Sequence, residues 1–397
     1  MINRLEFIKI CGLFGVSIPL QTVLGAHKEI REPRITRGDF NGSVLIIGAG
    51  AAGMATAHLL QQLGIEYKIL EGDVSYGGRF RTNNSFTDFP IPLGAEWLHV
   101  SRSELPKIIN YDAVEIKTIT LPYAESDTYG YYSKCKLTVE KVGKAVNDDQ
   151  DKKFIGSSWF HFFDEYIVPS IQNKMQFKTL ITSIDYRKDK VVAVDTNGKQ
   201  YKADKLVVTV PLKLLQLGQI TFDPELPNNK KNAIAKATIW SGIKLFLKFS
   251  KPFYPTFLYF DDSKNSKGQR LYYDAAYGQK SNDNILGLFA VGKQAEVYQK
   301  FKGDALRDYV LNELDEVFEG KASKNFQDIL VQNWNEQPFA RAAYLEDDAL
   351  SFISRAMSKS INDKVYFAGC SYTRENDWSS VHTAARSARD TVRELIQ

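Results

Sequence analysis

Among the features of this sequence, Gly48-Ala49-Gly50-Ala51-Ala52-Gly53 most constrains what the chain can fold into. Residues 43–47 before it are a short apolar run rich in β-branched side chains, and residues 54–63 after it have helical spacing that ends at Gly64. Residues 67–70 form a second strand, so strand, glycine turn, helix and strand make a βαβ unit of about 30 residues. Gly48 permits the tight turn, Gly50 lets the backbone approach a pyrophosphate, and Gly53 lets the helix pack closely on the strand. The helix N-terminus adds free N–H groups and a positive dipole end. Glu71 closes the second strand and is placed to accept hydrogen bonds from ribose hydroxyls, which disfavours a 2′-phosphate. These residues specify a dinucleotide site in an α/β fold.

Both NAD and FAD use such a turn. Gly77-Gly78-Arg79, six residues past Glu71, brings backbone and an arginine toward a second portion of the same ligand. Further matches follow in order: Leu93-Gly94-Ala95-Glu96-Trp97-Leu98-His99, the strand that ends in Val210-Pro211-Leu212, and Phe222-Asp223-Pro224-Glu225-Leu226-Pro227. Ile243-Lys244-Leu245-Phe246-Leu247-Lys248-Phe249 comes next, and the series closes with Tyr366-Phe367-Ala368-Gly369 through Trp378, His382 and Ala384. On these segments the sequence resembles the flavin amine oxidase family, and within it the polyamine oxidase branch. The resemblance runs over residues 43–392.

What the resemblance implies is a Rossmann-like FAD-binding domain of the glutathione-reductase-2 type, with an interleaved α+β substrate domain built on a mixed or antiparallel sheet. The FAD-binding part would be residues 42–100, 176–225 and 346–397, and the substrate-binding part residues 101–175 and 226–345. An extended, noncovalent FAD would be held by Gly48, Gly50, Ala52, Gly53, Glu71, Gly77, Gly78 and Arg79. Gly94, Ala95, Glu96, Trp97, Ile181, Pro211, Gly369, Cys370 and Val381 complete that set. Lys244, His99, Tyr344 and Trp378 would stand at the catalytic end, with Lys244 holding a water near flavin N5 and His99 lining the substrate entrance. The implied reaction is hydride transfer from an amine C–N carbon to N5, hydrolysis of the imine, and reoxidation by O2 to hydrogen peroxide. The substrate would be a polyamine or a related primary or secondary amine, deprotonated so that its lone pair assists hydride departure. Two other readings remain open: a flavoenzyme of the same fold acting on a non-amine or amino-acid substrate, and a non-catalytic flavin-fold binding protein.

The sequence departs from the family at named positions. Cys370 stands where the family has a glutamate, which removes a carboxylate from the ribityl chain. Thr383 and Ala388 replace glycines of the last helix. Val381 takes the place of one tyrosine of the monoamine oxidase aromatic cage, while Tyr344 matches the other. Ala343 replaces the cysteine that attaches flavin covalently in monoamine oxidases. The stretch after His99 is short for the family, so part of the helical substrate lid is expected to be missing.

Composition removes other classes. With 51 Lys and Arg against 47 Asp and Glu, the net +4 is spread without a basic run that would track phosphates, so nucleic acid is not an expected partner. Cys11, Cys135 and Cys370 are too far apart in sequence for a metal set, and no metal is expected. The N-terminus reads as a signal peptide over residues 1–26: Arg4 and Lys9 precede an apolar run at 10–20, then Gly25 and Ala26. Arg4 and the residues around it resemble a twin-arginine export signal with Leu5 in place of the second arginine, which predicts a periplasmic protein, with the cytoplasm as the alternative. Eleven apolar residues are too few to span a bilayer, so no stable membrane insertion is expected. Residues 27–41 read as a linker.

Overall fold

The computed structural model describes residues 34–111, 113–143, 151–262, 267–346, 351–374 and 379–397. The expected signal peptide and Trp378 lie outside these. No described helix is long and apolar enough to cross a membrane.

The first strand, Ser43–Ile47, sits in the middle of a five-stranded sheet whose spatial order is Met175–Gln176, Glu66–Leu70, Ser43–Ile47, Lys205–Val208, Val365–Phe367. All four pairings are parallel, and the register sets Ile47 beside both Leu70 and Val208, and Val208 beside Phe367. The carboxyl ends of these strands therefore line up, and the chain leaves them through Gly48, Glu71, Thr209 and Ala368. Because the first strand has the second on one side and a much later one on the other, strand order reverses at Gly48, where α/β sheets leave a crevice for a ligand.

Both faces of this sheet are covered, which explains why 43–47 is apolar throughout instead of alternating. Val44 and Ile46 face one core, shared with the helices Ala51–Gln62 and Val381–Leu395. Leu45 and Ile47 face the other, shared with a four-stranded sheet that contains Ile181–Asp185 and the hairpin of Val191–Asp195 and Gln200–Ala203. Asn197-Gly198 turns that hairpin, as the spacing predicts, with Gly198 at φ +76°.

A seven-stranded mixed sheet forms the second layer, with Gly242–Phe249 paired antiparallel between Asn284–Gly292 and Phe326–Asn333. The alternation of 243–249 fits a two-faced strand, and the packing decides which face is which. Ile243, Leu245, Leu247 and Phe249 lie against the helix Gly303–Phe318. Phe246 lies on the other side, in an aromatic core with Trp97, Tyr123, Tyr273 and Phe257. Lys244 shares that second side and is buried there, which excludes a solvated strand lysine.

The stretch 101–175 does not go to one layer. Its strands Thr128–Ser133 and Lys136–Lys141 extend the seven-stranded sheet. Its helices Glu104–Ile109 and Trp159–Tyr166 instead bury Leu105, Ile108, Trp159, Phe162 and Phe163 in the core of the parallel sheet. Apolar helix faces go where a complementary apolar face exists, and here the first and last helices supply it. The helix beginning at Trp159 is capped by Ser158, whose hydroxyl accepts from the amide of Phe160 at 3.1 Å, and it stops at Tyr166, so that Pro169 falls in a separate short helix Val168–Ile171. The described part of the 27–41 segment, from Arg34 on, is irregular yet packed: Ile35 is buried, its amide donates to Asn110 at 3.2 Å, and the Phe40 amide donates to the carbonyl of Ile396 at 3.3 Å.

Candidate active site

A single cavity follows the carboxyl ends of the parallel strands and continues under the seven-stranded sheet, enclosing about 2050 Å³ of empty space with its mouth included. Its length, from Gly48 and Glu71 at one end to Lys244 and Tyr344 at the other, suits an extended dinucleotide with a substrate at its far end.

One end is built of backbone. Gly48 has φ +107°, a conformation that side chains resist. A Cβ on Gly53 would run into the carbonyl of Gly48, so the helix sits as close to the turn as an unsubstituted residue allows. A Cβ on Gly50, in contrast, would meet nothing within 4 Å, because Gly50 faces the cavity. Gly50 is also the N-cap of the first helix and offers no side-chain cap, which leaves amide donors at that terminus for a phosphate. The second glycine pair is stitched to the first: the Gly77 amide donates to the Ala49 carbonyl at 2.9 Å, and a Cβ on Gly78 would stand 3.5 Å from the Gly50 Cα. Gly53 and Gly77 shape the wall from behind, while Ala52, Gly78 and Arg79 line it. Two glycine loops meeting around open space, with an uncapped helix end between them, fit a pyrophosphate.

Glu71 lines the same end, and it also holds the turn. Its carboxylate accepts from the Ala49 amide at 2.6 Å and from the Asp73 amide at 2.8 Å. Burial pushes its carboxyl above the ordinary value, against the pull of those amides and of Arg81. Arg81 itself pairs with Asp73 at 2.7 Å. Thr179, Leu180 and Ile181 close this end, and Pro211 lies further along, at the N-terminus of Leu212–Gln216.

The middle is crossed by Arg79, whose guanidinium donates to the Ala343 carbonyl and to Cys370 Sγ, the latter at 3.5 Å. Gly94 and Ala95 pass beside it: the Ala95 amide donates to the Arg79 carbonyl at 3.1 Å, and a Cβ on Gly94 would collide with that same carbonyl. Gly369, Cys370, Val381 and Ala384 line the wall opposite. Thr383 and Ala388 do not line it; Thr383 turns into its own helix cap, where its amide donates to Ser380 at 3.0 Å. The replaced glycines therefore leave the cavity wall uncrowded.

The other end is made of side chains from distant segments. Trp97, Phe289, Trp334 and Tyr344 give it an aromatic lining, and Trp334 is fixed by its indole N–H donating to the Leu93 carbonyl at 3.0 Å. Tyr344 lies 5.7 Å from the ring of Trp240. Lys244 donates to the carbonyls of Pro92 at 3.0 Å and Gly94 at 3.2 Å and to the Glu96 carboxylate, so each of its three N–H bonds has a protein acceptor. Burial lowers the Lys244 pKa, Glu96 opposes the shift, and Lys153 adds to it. Glu96, expected among the cofactor contacts, lines the cavity, and its carboxylate accepts from Lys244, Lys153 and the Tyr273 hydroxyl. Burial raises its pKa, but the two ammonium groups outweigh burial and hold it below the usual carboxylate value.

His99 lines the cavity with its Nδ1 2.6 Å from Asp151. His382 is buried beside the N-cap Ser380 and is pushed down to about 3 by burial, with the neighbouring His99 and Arg386 acting in the same direction. Lys153, Tyr273, Trp334 and Asp151 were not legible as site residues. Each stands in an ordinary strand or loop sequence, and only the packing of separate segments brings it here.

Comparison with known proteins gives a consistent picture. Residues 161–396 match the model of the flavin containing amine oxidoreductases, and residues 46–111 match an NAD(P)-binding Rossmann-like domain. Polyamine oxidase 3 of Oryza sativa subsp. japonica is 24% identical over 394 residues, covering 79% of this chain and 80% of that protein. Among solved structures, a putrescine oxidase with putrescine bound superposes with a TM-score of 0.72 at 15% identity, over 92% of this chain and all of the other. Cyclohexylamine oxidase from Brevibacterium oxydans does so with 0.71 at 15%, over 90% and 99%. At such identities the structural likeness speaks for the fold.

Proposed function

Because the chain belongs to the flavin containing amine oxidoreductase family, we propose that it oxidises the C–N bond of a small amine, a polyamine or a related primary or secondary amine, with FAD held noncovalently along the cavity. The observation that carries this reading is the continuity of the cavity, which joins the glycine turns at Gly48 and Gly78 to the aromatic end at Lys244 and Tyr344. Gly48, Gly50 and the first helix terminus would hold the pyrophosphate, Glu71 the ribose, and Arg79, Gly369 and Val381 the flavin end. Bound there, FAD supplies the hydride acceptor, and O2 its reoxidant.

The chain's own residues prepare the amine. Trp97, Phe289, Trp334 and Tyr344 exclude water, and an ammonium is less stable in such surroundings than the free amine. His99, held at Nδ1 by Asp151, lines the cavity where its imidazole can exchange a proton with an incoming ammonium. Ala343 presents a methyl group where a covalent linkage would need a thiol, and Cys370 Sγ is engaged by Arg79.

Anaerobic addition of putrescine, spermidine, spermine and simple monoamines to the purified yellow protein, read at the flavin absorbance, tests the reading. Bleaching by an amine is the expected result, and a flavin that no amine bleaches would overturn it. Acid precipitation should leave free FAD in the supernatant; flavin retained on the pellet would contradict noncovalent binding.

A further inference from the structure

Two lysines share one carboxylate at the catalytic end. Lys244 and the Tyr273 hydroxyl meet Glu96 Oε2, and Lys153 meets Oε1. Glu96, Lys153 and Lys244 are each 2% exposed, and Tyr273 is fully buried. Lys153 comes from Lys152–Ile155, the strand that pairs with Trp97–Leu98, whereas Lys244 comes from the seven-stranded sheet, so Glu96 ties the two together. A buried ammonium without its own counter-charge is costly, and two ammonium groups on one carboxylate leave one charge unmatched.

The surroundings decide which lysine gives way. Asp274 stands near enough to Lys153 for their charges to interact, and burial lifts the Asp274 carboxyl to about 6 against that attraction. The remaining neighbours of Lys244 are uncharged: Phe289 and Gln332 are its register partners on the adjoining strands, and its nitrogen lies 5.7 Å from the ring of Trp97, 5.1 Å from Phe246 and 5.5 Å from Tyr273. Lys244 also lines the cavity, and Lys153 does not.

We propose that Glu96 and Lys153 are positioning residues of this site: Glu96 fixes the Lys244 nitrogen against the carbonyls of Pro92 and Gly94, and the second ammonium on the same carboxylate makes Lys244 the group that exchanges a proton with water in the cavity. When Nζ releases one proton to water it gives up one of its three protein acceptors, keeps two N–H donors and gains a lone pair, so a nitrogen that could only donate now also accepts. The direction of the Lys244 shift agrees, since burial and Lys153 lower it and Glu96 raises it. The meaning for catalysis rests on the amine oxidase reading, but the proton equilibrium does not.

The test is a pH titration of the holoprotein labelled with 13Cε-lysine, followed by NMR, with the Lys244 signal assigned by its loss in Lys244→Met. Lys153→Met leaves a one-to-one ion pair and should raise the Lys244 midpoint by at least about one pH unit, a tenfold change in proton affinity. Glu96→Gln should lower it by a similar amount. The pH profile of anaerobic flavin reduction should move in the same opposite directions. Midpoints that stay put, or that move the same way in both variants, would overturn the proposal. Lys153→Met alone keeps it testable if Glu96→Gln does not fold. Since the NMR midpoint needs no turnover, an amine panel that fails and a triad that fails are told apart.

Discussion

The two ends of the cavity are built on opposite principles. At the nucleotide end the wall is largely backbone: Gly48, Gly50 and Gly78 keep side chains out, and the carboxylate of Glu71 braces the turn through the amides of Ala49 and Asp73. At the Lys244 end the wall is side chain: Glu96 and Lys244 line it, Lys153 and Tyr273 back them from other segments, and hydrogen bonds and buried charge hold the four together. A constant ligand portion is recognised by local geometry, while chemistry on a variable substrate needs groups that only long-range packing assembles.

If that contrast is right, substitution should fail in different ways at the two ends. Glu96→Ala strands two buried ammonium groups and should cost about 3–5 kcal/mol of folding free energy by denaturant unfolding; a loss under about 1 kcal/mol would break the idea that charge holds this end together. Gly53→Ala forces a methyl group onto the Gly48 carbonyl and should cost about 1–3 kcal/mol, with flavin lost in parallel.

A third test uses pH. The folded-state pKa of His382 is depressed to about 3, so an unfolded chain takes up a proton as pH falls through 6.5 while the folded chain does not. Stability is thus present above 6.5 and lost on acidification toward 3, by at most about 1.4 kcal/mol per pH unit. Between pH 7 and pH 5 the wild type should lose about 1–2 kcal/mol more than His382→Gln, and equal losses would show that the buried histidine is not the source. The smallest effect sharpens the comparison most. Gly50→Ala places its methyl group in open cavity, so the unfolding free energy should change by less than about 0.5 kcal/mol while FAD content falls. A variant that keeps its flavin would remove Gly50 from the cofactor site.

Legibility follows the same division. The glycine turn, the first helix and the hairpin at Asn197-Gly198 are short-range structures, and their residues announce them. Alternation through Ile243, Lys244 and Leu245 put Lys244 opposite the apolar positions but could not say what that face meets, because both faces of the strand are buried. Lys153 sits in a strand beside Phe154 and Ile155 and carried no signal of its own; its role exists only because Glu96 lies across from it. The helix at Trp159 was visible as a helix, yet its placement against the parallel sheet depended on apolar faces more than one hundred residues away in the chain.

By itself the sequence determined the dinucleotide turn, its acidic companion Glu71 and the strand that carries Lys244, since each rests on contacts between near neighbours in the chain. The tertiary structure alone decided that Lys244 is buried, that Glu96 binds lysines and a tyrosine, and that Lys153 joins them. Ion pairs between remote strands leave no local pattern, and their energy appears only once folding has removed the water.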